Sequence, residues 1–169
     1  MTPIVLSTTT PELTLRQFTP DDAQALFDRI DGNRAHLSRN DDDTSRKYPD
    51  VASVRHSIEH PANPNKLRFG VWLNTVLVGT VNLTPRSFPD GETVELGYWM
   101  ASEYTGQGLA TIAAQAVCEY AKSQGYRRVV ASVSESNTAS RRVLEKLGFK
   151  KTVEMNYAKE AESVSRGAR

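Results

Sequence analysis

The segment Tyr104-Thr105-Gly106-Gln107-Gly108-Leu109-Ala110-Thr111 joins a strand-like run to a long helix-like run, and its residue types suit one chemistry. Two glycines among small residues let backbone N–H groups converge on an anion, and a helix beginning there adds the positive end of its dipole. A turn of this kind grips a pyrophosphate. Two familiar versions are excluded. A P-loop closes on Gly-Lys-Ser/Thr, and no lysine follows Gly108. A dinucleotide fingerprint would need a third glycine, where Thr111 stands, and it follows a chain's first strand rather than a long preceding segment. The other reading is a tight turn with no ligand, so the context decides.

Glu95 is the second candidate. Alternation along a strand places Val94, Leu96, Tyr98 and Met100 on one face and Glu95, Gly97 and Trp99 on the other. A glutamate among apolar and aromatic strand residues is out of character unless it works or lies at an exposed edge. Three further features carry less. His56 and His60 are one helical turn apart, but Ser57 breaks the His-Glu-x-x-His pattern, and no metal is expected. Arg127-Arg128 and Lys150-Lys151 lack the interleaved aromatics of a nucleic-acid site. Cys118, the one cysteine, sits mid-helix beside Val117 and reads as a buried, inert thiol.

The elements that must position these residues follow in order. Residues 1–10 are Thr-rich and read as a loose lead-in. Leu13 to Gln17 alternates like a strand. Thr19-Pro20-Asp21-Asp22 is a helix start, and Ala23 to Ile30 carries an apolar face that Asp31-Gly32-Asn33 ends. A short helical piece follows at Arg34 to Ser38, then the acidic run Asn40-Asp41-Asp42-Asp43, a solvated loop or an attractive rim for a cationic amine. Val51 to His60 reads as a helix capped by Asp50. Leu67–Leu73 and Leu77–Leu83 form a hairpin about Asn74-Thr75. Phe88-Pro89-Asp90-Gly91 is a turn and Thr93–Met100 a strand. Leu109–Gln124 is a helix closed by Gly125, Val129–Val133 a strand, Ala139–Leu147 a helix closed by Gly148, and Phe149 begins a last strand. The helical crossover forces the strands flanking it to run parallel if they share a sheet. The expected fold is α/β (α+β): a mixed, mostly antiparallel sheet with one parallel pair and flanking helices.

Length and composition fit one domain spanning residues 1–169, with 38% hydrophobic and 24% charged residues. A net charge of +1 gives no global field for nucleic acid or an acidic membrane. No apolar run is long enough to span a bilayer, and one cysteine excludes an internal disulfide. Cytoplasm is the expected location.

Four stretches in order resemble the GNAT superfamily of acyl-CoA-dependent N-acyltransferases. Thr105-Gly106-Gln107-Gly108-Leu109-Ala110 is similar to its Gln/Arg-x-x-Gly-x-Gly/Ala motif, with Thr105 departing at the first position. Val94-Glu95-Leu96-Gly97-Tyr98-Trp99, Asn137-Thr138-Ala139-Ser140 and Glu145-Lys146-Leu147-Gly148-Phe149 resemble its RimJ/RimL-like branch of ribosomal-protein N-terminal acetyltransferases, as does Asn33-Arg34-Ala35-His36-Leu37. The resemblance runs from about Leu13 to Phe149. It leaves Ala158 to Arg169 an atypical C-terminal segment, polar where the family has an apolar strand.

The resemblance implies acetyl-CoA as co-substrate and no metal. Backbone amides of Gln107, Gly108, Leu109, Ala110 and the adjoining Thr111 would hold the pyrophosphate. Strands on either side of the long helix would splay, with Tyr98, Trp99 and Met100 offering backbone bonds to the pantetheine arm and Asn137 contacting it. Arg142 and Lys146, with Arg141, would reach the outer phosphates, or else be solvated helix charges. Glu95 would be the general base, directly or through water, and Ser140 would protonate the leaving sulfur, with Tyr98 or Tyr104 as substitutes. A backbone N–H near Trp99 or Met100 would polarise the thioester carbonyl. The acceptor would be a primary amine, a protein N-terminus or a small molecule, attacking directly with no acyl-enzyme; a homodimer is compatible with this reading. A non-catalytic acyl-CoA-binding module, or the same fold with another donor such as succinyl-CoA, are the alternatives.

Overall fold

The structure is a computed structural model and describes residues 2–39, 43–86, 91–151 and 157–160. Seven strands form one sheet in chain order: β1 (Val5–Ser7), β2 (Leu13–Gln17), β3 (Leu67–Leu73), β4 (Val76–Pro85), β5 (Thr93–Met100), β6 (Arg128–Ala131) and β7 (Tyr157–Glu160). Every neighbouring pair is antiparallel except β5–β6, which the helical crossover makes parallel. The helices are α1 (Ala23–Asp31), α2 (Arg34–Ser38), α3 (Thr44–Lys47), α4 (Val51–Glu59), α5 (Leu109–Ser123) and α6 (Thr138–Lys146). Among the described residues no helix is long and apolar enough to cross a membrane. The expected mixed sheet with its single parallel pair is what forms.

Alternation along β5 sorts the core into two clusters. Val94, Leu96, Tyr98 and Met100 face α5 and α6, packing with Ala113, Ala114, Val117, Ala121 and Leu144. Trp99 faces the other way, onto Leu26, Ile30, Leu37 and Val54 of α1, α2 and α4. The small residues on the inner face of α5 bring it close to the sheet, which sets the height of the turn that precedes it.

At the base of α1, the Arg16 guanidinium meets both Asp22 carboxylate oxygens at 2.9 and 3.0 Å, and the Thr19 N–H donates to Asp22 at 2.7 Å. Burial alone would raise the Asp22 carboxyl; these bonds and the Arg16 charge outweigh it and hold it below its ordinary value.

Two ends of the chain differ from expectation. The segment read as a loose lead-in supplies β1, with Val5, Leu6 and Ser7 opposite Arg16, Leu15 and Thr14. Its register is pinned by the Gln17 N–H on the Ile4 carbonyl at 3.0 Å and the Ile4 N–H on Gln17 Oε1 at 2.8 Å. At the other end, Phe149 enters the core and Lys150 only bridges Ala158; the edge strand is β7, eight residues later than Phe149. An edge strand faces solvent, so Lys159 and Glu160 suit it, and Glu160 pairs with Arg128 at 3.3 Å. Strand β6 ends at Ala131 rather than Val133. Residues 40–42 of the acidic run and the turn residues 88–90 lie outside the described residues.

Candidate active site

The glycine turn forms as its residue types require. Gly106 and Gly108 have φ of 74° and 78°, the left-handed region that side-chain-bearing residues avoid, and a Cβ on either would meet nothing within 4 Å. Gly108 caps α5, its carbonyl accepting from the Ile112 N–H at 3.2 Å. Among the described residues, the N–H groups of Gln107, Gly108, Leu109, Ala110 and Thr111 have no protein acceptor. A helix start with bare donors and open space in front of it is an anion cradle.

Beside this turn the sheet opens. The parallel pairing of β5 with β6 stops at Glu95 and Val130, while β5 runs on along β4 to Met100. From Leu96 onward, therefore, β5 has a strand on one side and a gap on the other. Behind it β4 presses close: a Cβ on Gly79 would strike the Trp99 carbonyl and lie 2.6 Å from Met100 Sδ. A cleft of about 840 Å³ runs through the gap, walled by β5 from Glu95 to Met100, by Ala131 to Ser134, by the turn and by the start of α6.

Glu95, Tyr98, Trp99, Met100, Gly108, Leu109, Ala110, Thr111, Asn137, Ser140, Arg142 and Lys146 all line this cleft. Gln107 does not; its side chain folds back to donate to the Glu103 carbonyl at 3.0 Å. Arg141 likewise turns to the Glu135 carbonyl at 3.1 Å, whereas Arg142 and Lys146 are exposed on the cleft side of α6. Asn137 caps α6, accepting from the Ser140 N–H at 3.1 Å. The Ser140 hydroxyl lies 2.7 Å from the Tyr98 hydroxyl, which also reaches the Ser140 carbonyl at 3.1 Å. Burial pushes the Tyr98 phenol up to about 12, against the pull of the Ser140 bond, so it stays a neutral donor.

Glu95 lies on the opposite face. Its Oε1 pairs with Arg86 Nε at 3.1 Å and its side chain is 24% exposed. Cys118 lies buried in α5, away from the cleft wall, and burial pushes its thiol up to about 11. His56 and His60 stack their rings 4.6 Å apart on α4.

Several cleft residues had no individual role in the sequence reading, though His36 and Lys47 fall in the segment from Arg34 to Asn65 expected to shape the acceptor pocket. His36 Nε2 meets the Met100 carbonyl at 3.2 Å, and Lys47, Lys66, Arg68, Thr80 and Asn82 line the wall on the Glu95 side. Arg86, which pairs with Glu95 from the end of β4, had a local clue as a charge bordering a turn; Lys66, Arg68, Thr80 and Asn82 depend on sheet register, and His36 and Lys47 on how α2 and α3 pack.

A parallel pair that parts, a bare-amide turn opening α5 and a carboxylate across the gap meet in one cleft. The chain belongs to the acetyltransferase (GNAT) domain family, matched over residues 12–150, and is an N-acetyltransferase. It is 28% identical over 143 residues, 81% of this chain and 77% of the relative, to the putative ribosomal N-acetyltransferase YdaF of Bacillus subtilis. Over 82 residues, 48% of this chain and 45% of the relative, it is 33% identical to the ribosomal-protein-serine acetyltransferase of Escherichia coli. The fold is similar to that of Mycobacterium smegmatis RimJ, solved in complex with a coenzyme A disulfide: TM-score 0.78, 23% identity, covering 97% of this chain and 92% of that one.

Proposed function

We propose that this enzyme acetylates the α-amine of a protein N-terminus, with acetyl-CoA as donor, by direct attack inside a ternary complex. The observation that carries the reading is the cleft passing through the sheet. It joins the bare-amide turn and α6 on one face to Glu95 on the other, so donor and acceptor can enter from opposite sides and meet beside β5. The N-terminal acceptor is supported by the ribosomal-protein relatives and by the modest help an α-amine needs: it titrates near about 7.7–8.0, against about 10.4 for lysine. Ribosomal acceptors would place the enzyme in the cytoplasm.

The amides of Gly108 to Thr111 hold the pyrophosphate, and Arg142 and Lys146 reach the outer phosphates. Acetyl-CoA supplies the activated acyl group; the chain supplies position and proton traffic. Arg86 fixes Glu95 through Oε1, leaving Oε2 to take the proton that the amine nitrogen loses as it bonds to the carbonyl carbon. As the carbon–sulfur bond breaks, Ser140 Oγ gives its proton to the sulfur. The Tyr98 hydroxyl, 2.7 Å away, holds that Oγ in place by a hydrogen bond and can pass it a proton once its own is given up.

Thiol release from acetyl-CoA, with mass spectrometry of the product, tests the proposal on short peptides with free or blocked N-termini. Release that requires the free α-amine, with acetyl on that nitrogen, is the expected result. Turnover of small amines alone, or equal turnover of blocked peptides through lysine, overturns it.

A further inference from the structure

The Glu95 side of the cleft carries charge that the chemistry above does not use. Arg68, Asn82 and Gly97 stand in one cross-strand row over β3, β4 and β5, with Thr84 and Glu95 in the next row outward. Lys66 lies two residues before Arg68, on the same face by alternation, and both line the cleft. Between them and the gap the floor is open, because a Cβ on Gly97 would meet nothing within 4 Å and its φ is not one that demands glycine. A chain entering over Gly97 would have these cations alongside.

Their partners decide the matter. Nearby acids are already engaged: Asp43 pairs with Lys47 at 3.1 Å and Glu95 with Arg86 at 3.1 Å. Among the described residues, Lys66 and Arg68 have no carboxylate within ion-pair distance. Arg68 donates only to Ser57, at 3.4 Å to the carbonyl and 3.2 Å to the hydroxyl. Lys66 is half-buried; that burial, then repulsion from Arg68 and Lys47, depresses its pKa against weaker attraction from Asp43 and Glu95. Two cations held near each other without an anion are costly in the free protein, and an anion between them relieves that cost.

We infer that Lys66 and Arg68 form an anion subsite on the acceptor side, so the preferred acceptor is an acidic N-terminal peptide with a carboxylate within its first few residues. This rests on the N-terminal acceptor reading. Charge-assisted bonds of the usual size make the acidic peptide bind about ten-fold or more tighter than a basic one.

The test measures calorimetric binding to the coenzyme A-saturated enzyme of two amidated hexapeptides, Ser-Asp-Glu-Ala-Ala-Ala and Ser-Lys-Lys-Ala-Ala-Ala. Wild type should prefer the acidic peptide, Lys66→Gln should lose most of the preference, and Lys66→Glu should reverse it. Unchanged coenzyme A affinity certifies that each variant is folded. Equal binding of both peptides, the same order of affinity in wild type and Lys66→Glu, or no binding of either peptide overturns the subsite. Turnover in the same samples separates the two ideas: acidic peptide bound but never acetylated defeats the acceptor reading and leaves the subsite standing, while acetylation without charge preference does the opposite.

Discussion

Gly108 and Gly125 provide a matched pair for separating backbone strain from loss of the anion cradle. Both have positive φ, 78° and 92°, both have open space where a Cβ would stand, and they sit at opposite ends of α5. Alanine at either position adopts a left-handed conformation at about 1–2 kcal/mol. For a chain of this size that lowers Tm by roughly 2–4 °C per kcal/mol, equally for both variants. Only Gly108 borders the bare amides and lines the cleft. A methyl there displaces the phosphate from one or two charge-assisted N–H bonds of about 1.5–3 kcal/mol each. The expected loss of coenzyme A affinity is about 100-fold for Gly108→Ala and nil for Gly125→Ala. Thermal melts and calorimetric titration with coenzyme A read both effects. Similar melting shifts with similar, near-native affinities would refute the assignment of the turn as the phosphate cradle.

Arg142→Ala combined with Lys146→Ala should weaken coenzyme A about ten-fold while sparing dephospho-coenzyme A, measured by calorimetry, since these exposed cations line the cleft where the proposed site puts the outer phosphates. Ser140→Ala should lower kcat at least ten-fold with little change in acceptor KM, and Tyr98→Phe less so, because its hydroxyl acts through Ser140. The Asp22 carboxyl has a folded pKa below its ordinary 3.8, so its contribution is complete above that value and is lost as pH falls through the lower folded value. Asp22→Asn should therefore cost about 1 kcal/mol at neutral pH in denaturant melts, and the cost should shrink below about pH 4.

Local chemistry was legible in the sequence because it is written in local residues. The turn at Gly106–Gly108, the strand before it and the helix after it are consecutive, and positive φ at two glycines needs no tertiary partner to be foreseen. The Tyr98–Ser140 pair was half legible: both residues were singled out, but their 2.7 Å contact arises only when α6 folds against β5. Strand β1 was missed because three residues, two of them exposed, carry no periodicity; their order comes from pairing with β2. Strand β7 was hidden by its polar edge composition. The proposed acceptor wall was least legible, since Lys66, Arg68 and Asn82 join Glu95 only through the register of three strands. A one-residue slip would send every one of them to the other face.

In the proposed mechanism the decisive step is amine deprotonation by Glu95 across the gap from the bound donor. The most direct measurement is steady-state acetylation of a free N-terminal peptide by wild type and Glu95→Gln, with coenzyme A affinity measured on the same preparations. The variant's kcat should be lower by about 100-fold or more, with coenzyme A binding unchanged. Turnover within a few-fold of wild type would contradict it and move the base elsewhere in the cleft.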